Sequence, residues 1–347
     1  MSPGKPTASR PGRNQPAAAA EKPHRTGKPA PVHHRDGYWL GFSMPWSQIA
    51  VARFFFFGLL ATDAFLQLRH APRYHSDFNV AHLSWLDALS PGRLGMIIGH
   101  AALTIIFAAT AVGVASRIAV ALAAGIYGYL YLVSQLDSYQ HHYLVFVLLV
   151  AAAPMAWRRD PAVPNHGTEV AAWPVRLMIS IVAIVYFWAA IAKCHPDWTS
   201  GRTMALQIAD GPAHSLITST VGFARAAKLV LLVEFILAFG LLWRRAWPLV
   251  LPLGVGLHLG IALTSLEIGL FAWMMLALYA LVIPSRWWSL AWNALRFDGI
   301  IDRVRAELGR IRPAWLAAAL ALAACAGLAV TVRIDHAWIG VTVGGAV

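Results

Sequence analysis

From about residue 49 onward, long apolar runs alternate with short polar breaks. Nine runs stand at about 49–68, 94–114, 117–135, 142–156, 173–192, 227–242, 246–265, 268–284 and 314–333. Each is near the ~20 residues that an α-helix needs to cross a hydrocarbon core at ~1.5 Å per residue. The pattern predicts an all-α, polytopic transmembrane helical bundle of about nine spans. The fourth and sixth runs are short for a crossing, which points to tilt, partial re-entrance or misplaced bounds.

The polar stretches complete the organisation. Residues 1–38 are rich in Pro, Ala, Gly, Lys and Arg and hold no apolar run. They read as a disordered basic tail without a cleavable signal. Residues 39–284 form the main membrane domain, with long connections at 69–93 and 194–226. Over 285–312, Trp287, Trp288, Trp292, Leu295, Ile300, Val304 and Leu308 interleave with arginines, as in an amphipathic helix lying on anionic lipid. Residues 313–347 supply the last span and a short outer tail.

Composition agrees with the pattern. Of 347 residues, 58% are hydrophobic and 13% charged, about half the charged share of a soluble domain, and mean hydropathy is +0.58. The net charge of +12 would suggest nucleic acid if it were clustered on a folded surface, but it follows topology instead. With the N-terminus inside, nineteen of the 28 basic residues fall on the inner side and seven on the outer, as the positive-inside rule asks. No nucleic-acid partner is expected, and the bilayer is the expected surrounding. The two cysteines, Cys194 and Cys325, form neither a disulfide framework nor a zinc site, and no metal is expected.

Ionisable groups inside lipid are expensive, so their depth is informative. Asp63, His100, His141, Lys193, Glu234 and His258 lie on six different spans, all in the outer half. Each has an ordinary explanation. Asp63 caps a helix end, His100 bonds a backbone carbonyl, and Glu234 and His258 are partners across adjacent helices. Their common depth favours one shared polar pocket opening outward. Arg53, near the inner end of the first span, is the exception and reads as a snorkelling side chain. The GVGLHLG run at 254–260 reads as small-residue helix packing rather than a phosphate cradle.

The most concentrated chemistry lies in YFWAAIAKCHPDWTSGRTM, from Tyr186 to Met204. An apolar helix ends in Lys193, Pro196 forbids its continuation, Trp198 supplies an interfacial ring, and Gly201 a turn. Two readings of Lys193 stand at this point. It snorkels to the headgroups, or it is an amine in a partly dry pocket, where desolvation disfavours the ammonium and leaves it able to take a proton.

These residues resemble the HTTM domain, the transmembrane module of vitamin K-dependent γ-glutamyl carboxylase and its bacterial relatives. The resemblance rests on Tyr186, Phe187, Lys193, Trp198 and Gly201, and on Arg53, Phe54, Gly58 and Asp63 in the first span. It extends to His141, Tyr143 and Leu144, and to His258, Gly269, Phe271 and Met275, covering roughly residues 45–285.

The resemblance implies that Lys193 is the base that deprotonates a reduced quinone (vitamin K or menaquinol), with His141 assisting. Asp63, His100, Tyr186, Trp198, Glu234 and His258 would line or support the pocket, with Phe187 and Trp188 adding apolar wall. It further implies quinol-dependent modification of an exported peptide or a lipid at a bacterial cell membrane. The family's carboxylase carries a large lumenal substrate domain after its spans, whereas Asp335 to Val347 follow the last apolar run here. Quinone chemistry is therefore expected more than carboxylation of a recruited peptide. The alternative is a non-catalytic membrane partner for maturation or export of a secreted peptide, with Lys193 structural.

Overall fold

The computed structural model describes residues 38–75, 79–136, 140–157, 168–208, 210–264 and 270–294, together with residues 1 and 4. The chain divides into two units, Met1–Arg35 and Asp36–Val347, and the fold described is that of the second. The basic tail expected over 1–38, all but Tyr38 and residues 1 and 4, lies outside the described residues. So do the ninth apolar run and the interfacial segment beyond residue 294.

Eight helices answer to the other eight apolar runs. The first five are α1 Trp46–Gln67, α2 Gly92–Ala111, α3 Arg117–Leu132, α4 Gln140–Ala152 and α5 Trp173–Ala192. Three short helices follow, α6 Pro196–Thr199, α7 Arg202–Gln207 and α8 Pro212–Thr220. The last long ones are α9 Phe223–Gly240, α10 Trp247–Leu263 and α11 Phe271–Tyr279. Four helices, beginning at Trp46, Gly92, Trp173 and Arg244, are long and apolar enough to cross a membrane. A fifth is counted if the bent pair Phe271–Val282 and Ser285–Ala294 forms one span. The chain is thus an integral membrane protein, but length and apolarity alone do not establish nine crossings. The shortfall has physical reasons. α3 and α4 are short, and α9 starts four residues earlier than expected, carrying Arg225 and Lys228 in addition to Glu234.

The long helices form a closed ring in chain order. α1 packs on α2, α2 on α3, α3 on α4, α4 on α5, α5 on α9, α9 on α10 and α10 on α11, and α11 returns to α1. Short connections favour this arrangement, because consecutive helices that reverse direction become neighbours. Phe56, Phe57, Leu103, Phe107, Leu148, Trp157 and Met178 are buried among the helices. An antiparallel ribbon pins one face of the ring: Ser43 pairs with Ala171, Met44 with Val170 and Pro45 with Glu169. The starts of α1 and α5 therefore lie side by side. Arg53 does not snorkel. Its guanidinium donates to Ala111 O at 3.2 Å and Trp157 O at 2.5 Å, satisfying carbonyls where α2 and the segment after α4 leave the helical ladder.

Breaks follow the local chemistry. A single 3₁₀ turn, Ala280–Val282, continues α11 until Pro284, where the chain bends by 99° into α12 Ser285–Ala294. On α12, Trp288 and Trp292 are buried while Trp287 is exposed, and Trp288 Nε1 donates to Ser47 Oγ at 2.8 Å. The described part of the expected amphipathic segment is thus docked against the start of α1. The connection after α5 folds rather than wanders: Met204, Ile208 and Ala227 form a small core of their own, with Trp198, Ile217 and Phe223 packed on it.

Gly201 sets this connection. Its φ is +83°, and a Cβ there would stand 2.4 Å from the Ala224 nitrogen and the Phe223 carbonyl carbon. Gly201→Ala should therefore lower stability by about 2 kcal/mol, whereas Gly125→Ala, in α3 with open space around it, should be neutral or slightly stabilising. Thermal melting in one detergent compares the two, and equal melting temperatures would refute the close-approach argument.

Candidate functional site

Lys193 is the C-cap of α5, and the chain turns there because Pro196 begins α6 with His195 as its N-cap. The turn folds Trp198 back over the helix end. Trp198 Nε1 donates to Ala227 O at 3.1 Å, which locks the ring, and Lys193 Nζ lies 5.1 Å from the ring centroid. The same amine donates to Glu234 Oε1 of α9 at 2.8 Å. The Lys193 side chain keeps 23% of its surface exposed and Glu234 only 8%, so the amine remains reachable while the carboxylate is buried. Glu234 Oε2 is buried with no hydrogen-bond partner among the described residues. The pair is thus half-used: one oxygen holds the amine, and the other is a buried acceptor.

Two turns back along α5, Tyr186 enters a buried polar chain. Its hydroxyl lies 2.6 Å from His258 Nε2 of α10 and 3.0 Å from the Tyr279 hydroxyl of α11. With Tyr279 donating to Tyr186, the Tyr186 proton is left for His258 Nε2, which places the imidazole proton on Nδ1. His258 Nδ1 is buried without a partner among the described residues. Gly254 makes this chain possible, since a Cβ there would stand 2.1 Å from the Tyr279 hydroxyl. Of the glycine run at 254–260, Gly254 alone packs closely, admitting the Tyr279 side chain, while Gly256 and Gly260 face open space.

A second polar site lies between α1, α2, α3 and α4. Asp63, Gln67, His100, Tyr127, Tyr131, Ser134 and His142 line a half-open cleft with apolar walls from Met96, Leu103 and Leu130. Tyr127 Oη and His142 Nδ1 are 2.7 Å apart. His141 connects the two regions. Its ring lies 4.3 Å from that of His142 and 5.6 Å from Phe271, whose ring is 6.2 Å from His258.

The sequence pattern of the HTTM domain matches residues 43–287, well over half of the chain. The chain belongs to the HTTM domain family. Its members are membrane proteins related to the vitamin K-dependent carboxylase. No curated protein and no solved structure gives a significant match.

Within this HTTM domain, the single pocket expected from depth resolves into two polar sites. Lys193, Trp198, Glu234, Tyr186 and His258 belong to the α5–α9–α10 side, whereas Asp63 and His100 line the other cleft. Depth along a helix says nothing about which way a side chain points around it. Glu234 and His258 do not pair with each other; their partners are Lys193 and Tyr186. Trp188 does not wall the site, being 62% exposed on the outside of the ring. Phe187 packs instead on Phe235 and Phe239 of α9, with centroids 6.5 and 6.0 Å away. Tyr279, Tyr127, Tyr131 and Gln67 were not anticipated as site residues. For Tyr279, the one trace in the sequence is the glycine at 254 that makes room for it.

Removing one member of a buried ion pair strands the other charge, whereas removing both does not. Lys193→Met should therefore destabilise the HTTM domain by about 3 kcal/mol, and Lys193→Met combined with Glu234→Leu should recover part of that loss. Unfolding of the single and double variants in detergent closes the cycle. Additive losses would mean that the 2.8 Å contact carries no coupling.

Proposed function

We propose that this HTTM protein is a membrane enzyme in which Lys193 is the base toward a reduced quinone at an outward-facing site. The product would be a modified exported peptide or lipid at a bacterial cell membrane. The observation that carries the reading is the reachable Lys193 amine, 2.8 Å from a carboxylate whose other oxygen is a buried, unpartnered acceptor. An amine takes up a proton only when uncharged. Glu234 is the described carboxylate placed to relieve Lys193 of its proton, and the transfer leaves a neutral amine beside a neutral acid.

The residues present fit a hydroquinone by their donors and acceptors. Glu234 Oε2 is an acceptor without a donor, and His258 Nδ1–H is a donor without an acceptor among the described residues. Lys193 and Glu234 would hold one polar end of such a ring, with His258 and His141 on the Phe271 side. A reduced quinone, if bound, would supply an oxidisable ring for reaction with molecular oxygen, the source of a strong base for carbon deprotonation. The chain's own part would be to accept the hydroxyl proton at Lys193 Nζ, where it stays while Glu234 keeps the proton already taken from that amine, and to keep His258 in one tautomer through Tyr186 and Tyr279.

A second reading is favoured by the same contacts. Lys193–Glu234 and Trp198–Ala227 both tie the end of α5 to α9, as a structural clamp would. The protein would then be a non-catalytic partner in maturation or export of a secreted peptide.

The test uses wild type and Lys193→Ala in nanodiscs, with reduced menaquinone or vitamin K and oxygen, reading quinone epoxide by mass spectrometry. Wild type should form epoxide, and Lys193→Ala should lose at least about 100-fold in rate while remaining folded, the scale of a missing general base. No epoxide from folded wild type across a panel of quinols would overturn the enzyme reading in favour of the clamp.

A further inference from the structure

At the opposite end of α5 from Lys193, two arginines share one aromatic ring, that of Phe42, without a counter-ion among the described residues. Arg176, in the first turn of α5, is only 3% exposed. Its Nη2 donates to Leu242 O, just past the end of α9, an oxygen that also accepts from the Tyr38 hydroxyl at 3.1 Å. Its Nε and Nη1 are buried and have no hydrogen-bond partner among the described residues. The guanidinium stacks on Tyr38 at 4.1 Å and faces Phe42 at 5.5 Å. Stacking offsets part of the charge but satisfies no N–H.

The second cation comes from the turn into α10. Arg244 is exposed, and its guanidinium lies 4.8 Å from the Phe42 ring and 5.4 Å from Trp247. One nitrogen donates to Ser43 O at 3.2 Å. The two guanidiniums share the Phe42 ring and repel one another. The nearest acid of the neighbouring strand, Glu169, accepts from the Ser43 hydroxyl. Neither arginine belongs to the ion pairs Lys193–Glu234, His195–Asp197 or His214–Asp210.

A buried arginine with two idle donors beside a second arginine is an arrangement that an oxyanion completes. We propose that Arg176 and Arg244 form a binding site for a phosphate group, with Arg244 as the exposed outer contact and Arg176 as the inner one. Tyr38 covers it: the ring lies over Arg176 and is itself 53% exposed. The position at the end of the ring, opposite Lys193, suits the headgroup of a phospholipid in the facing leaflet. A soluble phosphate ester offers the same chemistry. The site is independent of the reading of Lys193, and it ties the start of α5, the end of α9 and the start of α10 to one anion.

The experiment measures thermal unfolding of the full chain in nanodiscs of pure phosphatidylcholine and of phosphatidylcholine with increasing phosphatidylglycerol. A parallel arm adds inorganic phosphate to the phosphatidylcholine discs. Wild type should gain stability with phosphatidylglycerol, and Arg244→Gln should need about tenfold more of it, the effect of one lost charge-assisted hydrogen bond. Arg245→Gln, which removes a neighbouring exposed arginine outside the site, should behave as wild type. Tyr38→Ala, which opens the cover, should respond at least as strongly as wild type. Stabilisation by inorganic phosphate alone would assign a soluble phosphate as the ligand, and stabilisation only by phosphatidylglycerol a lipid. No response to either, or equal losses in Arg244→Gln and Arg245→Gln, would overturn the site.

Discussion

A polar group placed on an apolar helix has no water to turn to, so it must find its partner on another helix. This constraint shapes the protein more than any single apolar contact. Lys193 of α5 reaches Glu234 of α9, Tyr186 of α5 reaches His258 of α10 and Tyr279 of α11, and Tyr127 of α3 reaches His142 of α4. Arg53 of α1 caps carbonyls at the end of α2 and after α4. Apolar side chains gain little by preferring each other over lipid. These directional pairs therefore select which helix faces lie against one another.

The closed ring gives those pairs a place to form. Because α11 returns to α1, side chains from helices distant in sequence meet inside it, such as Gln48 with the carbonyls of Ala280 and Ile283. The folded connection after α5 then lays Trp198 over the Lys193 end. Gly201 is the hinge of that cover, since its positive φ brings the chain back against the start of α9. Chemistry at Lys193 and order in this connection are thus one structural problem.

Much of this was legible in the residues. Apolar runs located the helices to within a few positions, and α5 matched at both ends because Pro174 sits in its first turn and Pro196 lies just beyond its last. The signature around Lys193 pointed to the HTTM family, which the match over 43–287 bears out. Crossing number was less legible: a short helix such as α4, or one that carries charges such as α9, is ambiguous by composition alone. The pairings were least legible. Glu234 and His258 lie on neighbouring helices at similar depth, yet both turn to α5 and not to each other, meeting it two turns apart.

By itself, then, the sequence determined that this is a helical membrane protein, where its helices run, and which family it belongs to. Those properties depend on local hydrophobicity, on proline and glycine, and on an ordered set of residues. Only the tertiary structure decided that the buried polar residues form two sites rather than one, that Lys193 is held by Glu234, and that Arg176 and Arg244 share the Phe42 ring. Those outcomes depend on the rotation of each helix about its axis and on which helices become neighbours. Both are set by packing around the whole ring, and no single stretch of sequence contains them.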